Sequence, residues 1–210
     1  MLKPPFESIC NIIFDVGDVL IDIDYQATIS AFQKLAIIDF STIISYARQH
    51  SIFDYLEKGL IDPAQFRNEL RRFLRADVTD EQIDQAWNSI LVNYPEEKFS
   101  LLQKLKKHYR IYALSNINQI HLDCIDNEVS KRFGVQRFED FFHKAYYSHL
   151  TGYRKPEAEI YELVLQEQLL IPQETLFIDD KAENIAAAAA LGIQTYHLTD
   201  RKTLIDLFNL

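Results

Sequence analysis

Asn11-Ile-Ile-Phe-Asp-Val-Gly-Asp-Val-Leu20 is the stretch whose reading decides the fold. It begins as a short, largely apolar run and stops at a carboxylate, Asp15. A run without apolar/polar alternation predicts a strand covered on both faces, as in parallel sheets. Ile111-Tyr-Ala-Leu114, ending at Ser115, and Thr175-Leu-Phe-Ile178, ending at Asp179, repeat the pattern. Lys144-Ala-Tyr-Tyr147 and Gln194-Thr-Tyr-His-Leu198 are weaker strand candidates.

Helical segments separate these runs. Phe99 to His108 carries Leu101, Leu102 and Leu105. Pro156 to Leu169 places proline at a first helical position, then Glu157 and Glu159 in the first turn and an apolar stripe of Ile160, Leu163 and Val164. Asn184 to Leu191 is alanine-rich, suited to lying close on a sheet, and stops at Gly192. Strands alternating with helices predict an α/β fold with a doubly wound, Rossmann-like parallel sheet. Residues 22–95 break the alternation and show no strand pattern. There Asp62-Pro63 reads as an N-cap and first helical residue ahead of Phe66, Leu70 and Phe73. Thr79-Asp80-Glu81 opens a helix carrying Ile83, Trp87 and Leu91. The division expected is a core domain of residues 1–21 and 96–210 with an inserted helical cap domain of residues 22–95.

The 210-residue chain has ample apolar material for a core, 48% of its residues. Its net charge of −9, without a basic cluster, disfavours nucleic acid and anionic membrane surfaces as partners. Cys10 and Cys124 form no C-x-x-C and are expected as buried small residues, a sparse usage that fits a reducing compartment. Pro4, Pro5 and Glu7 precede any apolar run, so the start does not read as a signal peptide, and a cytoplasmic location is expected.

Ligands of open parallel sheets sit beyond the carboxyl ends of the strands. Asp15, Ser115 and the pair Asp179-Asp180 fall at that edge, with Lys155 in Gly152-Tyr-Arg-Lys-Pro156 just ahead of a helix. Singly, each has a plain reading as a turn, cap or solvated residue. Together they offer carboxylates for Mg²⁺, which prefers hard oxygen ligands, and a hydroxyl and ammonium for phosphate oxygens. The six histidines show no metal-binding spacing. His121 and Arg154 are expected at the surface, and Tyr25, Phe53, Tyr55 and Trp87 in the cap's core.

Phe14-Asp-Val-Gly-Asp-Val-Leu20, Leu114-Ser-Asn116, Arg154-Lys-Pro156 and Phe177-Ile-Asp-Asp180, with Asn184 beyond, carry a resemblance across the whole chain. The chain resembles haloacid dehalogenase superfamily hydrolases with a helical cap. Among them it is most similar to small sugar-phosphate phosphatases, including bacterial glucose-1-phosphate phosphatases, sharing also the Ile21-Asp-Ile-Asp24 and Glu57-Lys-Gly59 segments. The resemblance implies Asp15 as the nucleophile that becomes an aspartyl-phosphate. It implies Mg²⁺ on Asp15, the Gly17 carbonyl and Asp180, with Asp179 beside them. Ser115 and Lys155 would hold the phosphoryl group, Asn116 would touch it or the substrate, and Asn184 would orient metal-bound water.

One departure matters. The common pattern is Asp-x-Asp-Gly-Thr, whose second Asp is the general acid; here Gly17 stands in its place, followed by Asp18 and Val19. A phosphomutase, which relies on that acid, is therefore disfavoured. The expected activity is hydrolysis of a small phosphorylated metabolite, in particular a sugar 1-phosphate, whose anomeric oxygen leaves readily. The rivals are a 2-haloacid dehalogenase and a non-catalytic phosphometabolite binder. The dehalogenase needs no metal, so Asp179-Asp180 would there be uncompensated charge.

Overall fold

The structure, a computed structural model, describes residues 2, 6 and 8–208; the proline-containing segment around Pro4, Pro5 and Glu7 lies outside them. In chain order the first elements are β1 (Asn11–Phe14), β2 (Asp22–Ile23), α1 (Tyr25–Leu35), α2 (Phe40–Gln49) and α3 (Ile52–Glu57). There follow α4 (Pro63–Arg71), α5 (Asp80–Asn88), β3 (Leu91–Asn93), α6 (Glu96–Leu105), β4 (Arg110–Ser115) and α7 (Gln119–Phe133). The last are β5 (Lys144–Tyr147), α8 (Ser148–Thr151), α9 (Ala158–Glu167), β6 (Thr175–Asp179), α10 (Ala182–Ala190) and β7 (Gln194–His197).

The unbroken apolar runs become a parallel five-stranded sheet in the order β5-β4-β1-β6-β7. β1 is central and buried throughout, which is why its sequence shows no alternation. Ile12, Ile13 and Phe14 are fully buried, each contributing about 1.5–3 kcal/mol relative to exposure. One face packs on Phe99, Leu102, Ile125 and Phe138, the other on Ile160, Tyr161, Val164 and Ala188. Helices thus cover both faces, the doubly wound arrangement the sequence predicts.

α1 to α5 gather around a separate cluster of Phe32, Leu56, Phe66, Leu70 and Ile83, joined by Ile120 of α7. The Asp62 and Thr79 side chains each cap a helix, with Gln65 and Gln82 completing capping boxes. Residues 22–95 are not wholly helical. β2 and β3 pair antiparallel where the chain leaves and re-enters the core, Asp22 opposite Asn93 and Ile23 opposite Leu91. Leu91 accordingly belongs to β3, not to the end of α5.

Other boundaries move for physical reasons. α6 begins three residues early, with Pro95 as N-cap and Glu96 and Glu97 in its first turn, where carboxylates meet the positive helix end. Pro156 lies outside α9, whose N-cap is Glu157. A turn from Arg154 O to Glu157 N, 2.8 Å, delays that helix. α10 starts at Ala182, so Asn184 sits in its first turn, and Gly192 takes the left-handed φ of +81° just past its end. Cys10 is exposed and Cys124 half-buried, against the expectation that both lie inside. Among the described residues no helix is long and apolar enough to cross a membrane.

Candidate active site

The central strands deliver their last residues to one point. Phe14 pairs with Ala113 on one side and Ile178 on the other, and Asp15 N–H donates to Ile178 O at 2.9 Å. Asp15, Ser115 and Asp179 therefore emerge together at the carboxyl edge, all buried. Between the two aspartates lies Lys155, its Nζ 2.5 Å from Asp15 Oδ1 and 2.7 Å from Asp179 Oδ2. The Lys155 backbone is fixed from β4. Its N–H donates to Asn116 Oδ1 and its carbonyl accepts from Asn116 Nδ2, both at 2.8 Å. Asn116, expected against the phosphoryl group or substrate, thus commits its carboxamide to holding Lys155, while still lining the cavity above.

Asp179 is similarly occupied. Its Oδ1 accepts from Lys181 N–H at 2.8 Å and from Asn184 Nδ2 at 2.9 Å, and its Oδ2 from Lys155 and again from Asn184 at 3.0 Å. Asn184 therefore anchors Asp179 through its Nδ2, a contact the sequence reading did not foresee. Asp180 differs: its Oδ1 is buried and takes no hydrogen bond. Oxygens of Asp15, Asp179 and Asp180 lie within 4.8 Å of one another.

Three carboxylates gathered around the single buried ammonium of Lys155, with Lys181 at the cavity wall, leave the cluster short of positive charge. Burial pushes Asp15 up to about 7, Lys155 opposing and Asp179 reinforcing the rise. Burial and Asp179 likewise raise Asp180, with Lys181 opposing. Burial disfavours the Lys155 ammonium, but Asp15 and Asp179 outweigh it and hold its pKa above the ordinary lysine value. An orphaned carboxylate oxygen in an oxygen-rich, anionic corner fits a hard divalent cation. Gly17 lines the same cavity, and a Cβ there would come 3.3 Å from Ile23 Cδ1.

Asp18 does not substitute for the missing acid. It adopts a left-handed φ of +54°, and its Oδ1 accepts from Arg201 Nη1 at 2.7 Å and from Ile23 N–H at 3.3 Å. It is absent from the residues lining the cavity.

The cap roofs this edge over a cavity of about 410 Å³. Its walls are mostly apolar, with Ile29, Ile44, Ile90 and Ile125 among them. Tyr25, Phe53 and Trp87 also line it, so these aromatics face the site and not only the cap core; Tyr55 is exposed. His121, expected at the surface, is in the cavity wall. Its ring stacks on Trp87 at 5.1 Å, and Trp87 stacks on Phe53 at 5.3 Å. Burial pulls its pKa down to about 4. A proton on Nε2 suits both partners, donating to Trp87 O at 3.2 Å while Nδ1 accepts from Asn118 Nδ2 at 3.1 Å. Arg154 is not a solvated cation either. It bridges to the cap, paired with Asp54 and with Glu57, the latter at 2.9 Å.

The haloacid dehalogenase-like hydrolase model matches residues 11–192. A D-ribitol-5-phosphate phosphatase of Bacteroides thetaiotaomicron is 33% identical over 186 residues, 89% of this chain and 90% of that protein. A sesquiterpene phosphatase of Aspergillus oryzae is 28% identical over 193 residues, 90% of this chain and 89% of the relative. A HAD family enzyme of Bacteroides thetaiotaomicron, solved with magnesium and inorganic phosphate, superposes with a TM-score of 0.81 at 41% identity, covering 90% and 93% of the two chains. This chain belongs to the haloacid dehalogenase-like hydrolase family.

Proposed function

We propose that the chain hydrolyses the phosphate monoester of a small metabolite through attack of Asp15 on phosphorus. It is a Mg²⁺-dependent phosphoric monoester hydrolase of its family. One observation carries the reading: Lys155 Nζ sits 2.5 Å from Asp15 Oδ1, while the neighbouring Asp180 Oδ1 is buried without a partner. The first feature orients a nucleophile beside a fixed cation; the second leaves a place for a metal. Asp15, the Gly17 carbonyl and Asp180 would hold Mg²⁺, and bound there it supplies charge neutralisation between nucleophile and phosphate. Asp179 sits beside them and fixes Lys155. Lys155 and Ser115 hold the phosphoryl oxygens as charge builds on them. An aspartyl-phosphate forms on Asp15 and water then releases orthophosphate. A dehalogenase, which takes no metal, would leave Asp180 Oδ1 buried without a partner beside two further carboxylates, and a pure binder has no use for a nucleophile so oriented. Phosphate release from a metabolite panel with and without chelator, set against chloride release from 2-chloropropionate, tests the reading. Chloride release unaffected by chelator would overturn it.

The metal leaves a mark on stability. Mg²⁺ relieves repulsion within the cluster and is expected to raise the melting temperature; at 100-fold over its dissociation constant, binding contributes about 2.7 kcal/mol. Asp180→Ala removes the free oxygen and is expected to abolish the rise. Asn184→Ala only loosens Asp179 and is expected to leave part of it. A full Mg²⁺ shift in Asp180→Ala, read by calorimetry, would remove Asp180 from the site.

For the substrate we take a sugar or polyol phosphate, with sugar 1-phosphates the faster. The Asp15 loop brings no acid, since Gly17 has none and Asp18 is held by Arg201. An anomeric oxygen, made more acidic by the ring oxygen, suffers least from that lack. Glucose 1-phosphate is therefore expected to turn over faster than glucose 6-phosphate, by a margin that an acid supplied from the cap reduces, and Gly17→Asp to narrow the gap further. The apolar walls favour a second reading, an apolar alcohol as leaving group, as the sesquiterpene phosphatase's name suggests for that relative. Including a prenyl phosphate in the panel separates them: a prenyl phosphate that outpaces both sugars supports the second.

A further inference from the structure

We infer that Glu57, on the cap, is the general acid and base of this site, in place of the acid missing at Gly17. The inference rests on the phosphatase reading above. Glu57 ends α3 and reaches the same cavity as Asp15, Ser115 and Lys155. Among the described residues the carboxylates lining that cavity are Asp15, Asp180 and Glu57, and the first two belong to the metal corner. Glu57 is the one of the three contributed by the helices of the cap, at the end of α3.

The turn that carries it is locked onto the core. Gly59 has a left-handed φ of +67°, and a Cβ there would lie 2.2 Å from His149 O, so only glycine lets the turn sit this close. Lys58 Nζ pairs with Glu157 Oε1 at 2.5 Å, and Arg154 ties Asp54 from the same helix. The Glu57-Lys-Gly59 segment is thereby explained: glycine seats the turn, lysine and arginine clamp it, and the glutamate faces the chamber. Glu57 Oε2 is buried and lies 2.9 Å from Arg154 Nη2, out of line for a hydrogen bond, and takes none elsewhere. Burial raises its pKa above the ordinary glutamate value, with Arg154, Lys181 and Lys155 opposing and Asp54 reinforcing. A phosphate dianion entering alongside pushes in the same direction. His121 is no rival, because both its ring nitrogens are engaged.

The chemistry balances. Asp15 forms a bond to phosphorus as the ester P–O bond breaks, its electron pair passing to the leaving oxygen. That oxygen takes the Glu57 proton and departs as the alcohol. The Glu57 carboxylate then accepts a proton from the water that attacks the aspartyl-phosphate, releasing orthophosphate and restoring both carboxyl groups.

Benzyl phosphate and 4-nitrophenyl phosphate test this, since both suit an apolar chamber but leave as an alkoxide and a stabilised phenoxide. In the Mg²⁺-loaded full chain, Glu57→Gln is expected to lower kcat/KM for benzyl phosphate by about 10²- to 10³-fold and for 4-nitrophenyl phosphate by less than about threefold. kcat/KM reports steps up to phosphoryl transfer, so a slowed second step does not blur the contrast. Glu57→Asp, which keeps the acid, is expected to recover part of the benzyl rate. Arg154→Gln breaks the same clamp but keeps the carboxyl group, and is expected to affect the two substrates equally. Equal losses in Glu57→Gln would make Glu57 only a clamp and overturn the inference. Phosphate release by wild type from neither of these substrates nor any member of the metabolite panel would instead overturn the phosphatase reading itself.

Discussion

Asp15→Asn is expected to lower phosphate release by about 10³-fold or more while the fold persists. The amide keeps the size of the side chain and can still accept from Lys155, which remains paired with Asp179 at 2.7 Å. What disappears is the attacking oxygen's charge and one metal ligand. Near-wild-type turnover in this variant would end the Asp15 mechanism. Stability offers a second reading of the same residue. Asp15 is raised from 3.8 to about 7, so the folded state holds a proton that the unfolded chain releases near 4. A raised carboxyl lowers stability as pH climbs through that window, because the unfolded state then binds fewer protons than the folded one. In excess chelator, wild type is expected to lose stability between about pH 4 and pH 7. Asp15→Asn, lacking the group, is expected to show a flatter profile by denaturant titration. An identical slope in the two proteins would mean that the strain resides in Asp180 instead.

The sheet could be read from the sequence because its evidence is local. β1, β4 and β6 are continuous apolar runs that stop at polar residues, and parallel strands need nothing more to be recognised. β2 and β3 escaped because two and three residues cannot show a period. α7 did carry a signal: Asn118 as cap, Leu122, Ile125 and Val129 at helical spacing, and Gly134 after the last turn. At the site, residue identity was legible but orientation was not. Asp18 turns away because of Arg201, which is 183 positions distant. Asn116 is drawn to Lys155 across 39 positions. Arg154 and His121 look like surface residues until the cap closes over them, and Glu57 gains its meaning only from the same closure.

Lys155→Ala is expected to damage both stability and rate. The side chain is 2% exposed and is the ammonium between Asp15 and Asp179. Removing one partner of a buried pair typically costs about 3–5 kcal/mol, because the other charge is left uncompensated. Here two carboxylates are left, and losing Lys155 removes a lowering influence on Asp15, whose pKa rises further. The destabilisation is therefore expected to deepen as pH rises, and added Mg²⁺ to reverse part of it. The loop itself stays in place, since Asn116 grips the Lys155 backbone and not its side chain. With the loop held, the kinetic effect isolates the missing charge. A fixed cation stabilises the phosphoryl group most where negative charge is best aligned, in the transition state, so kcat is expected to fall by about 10²- to 10³-fold with a smaller rise in KM. A variant with unchanged kcat and only a raised KM would place Lys155 in ground-state binding alone. Transition-state stabilisation would then have to come from Ser115 and the metal.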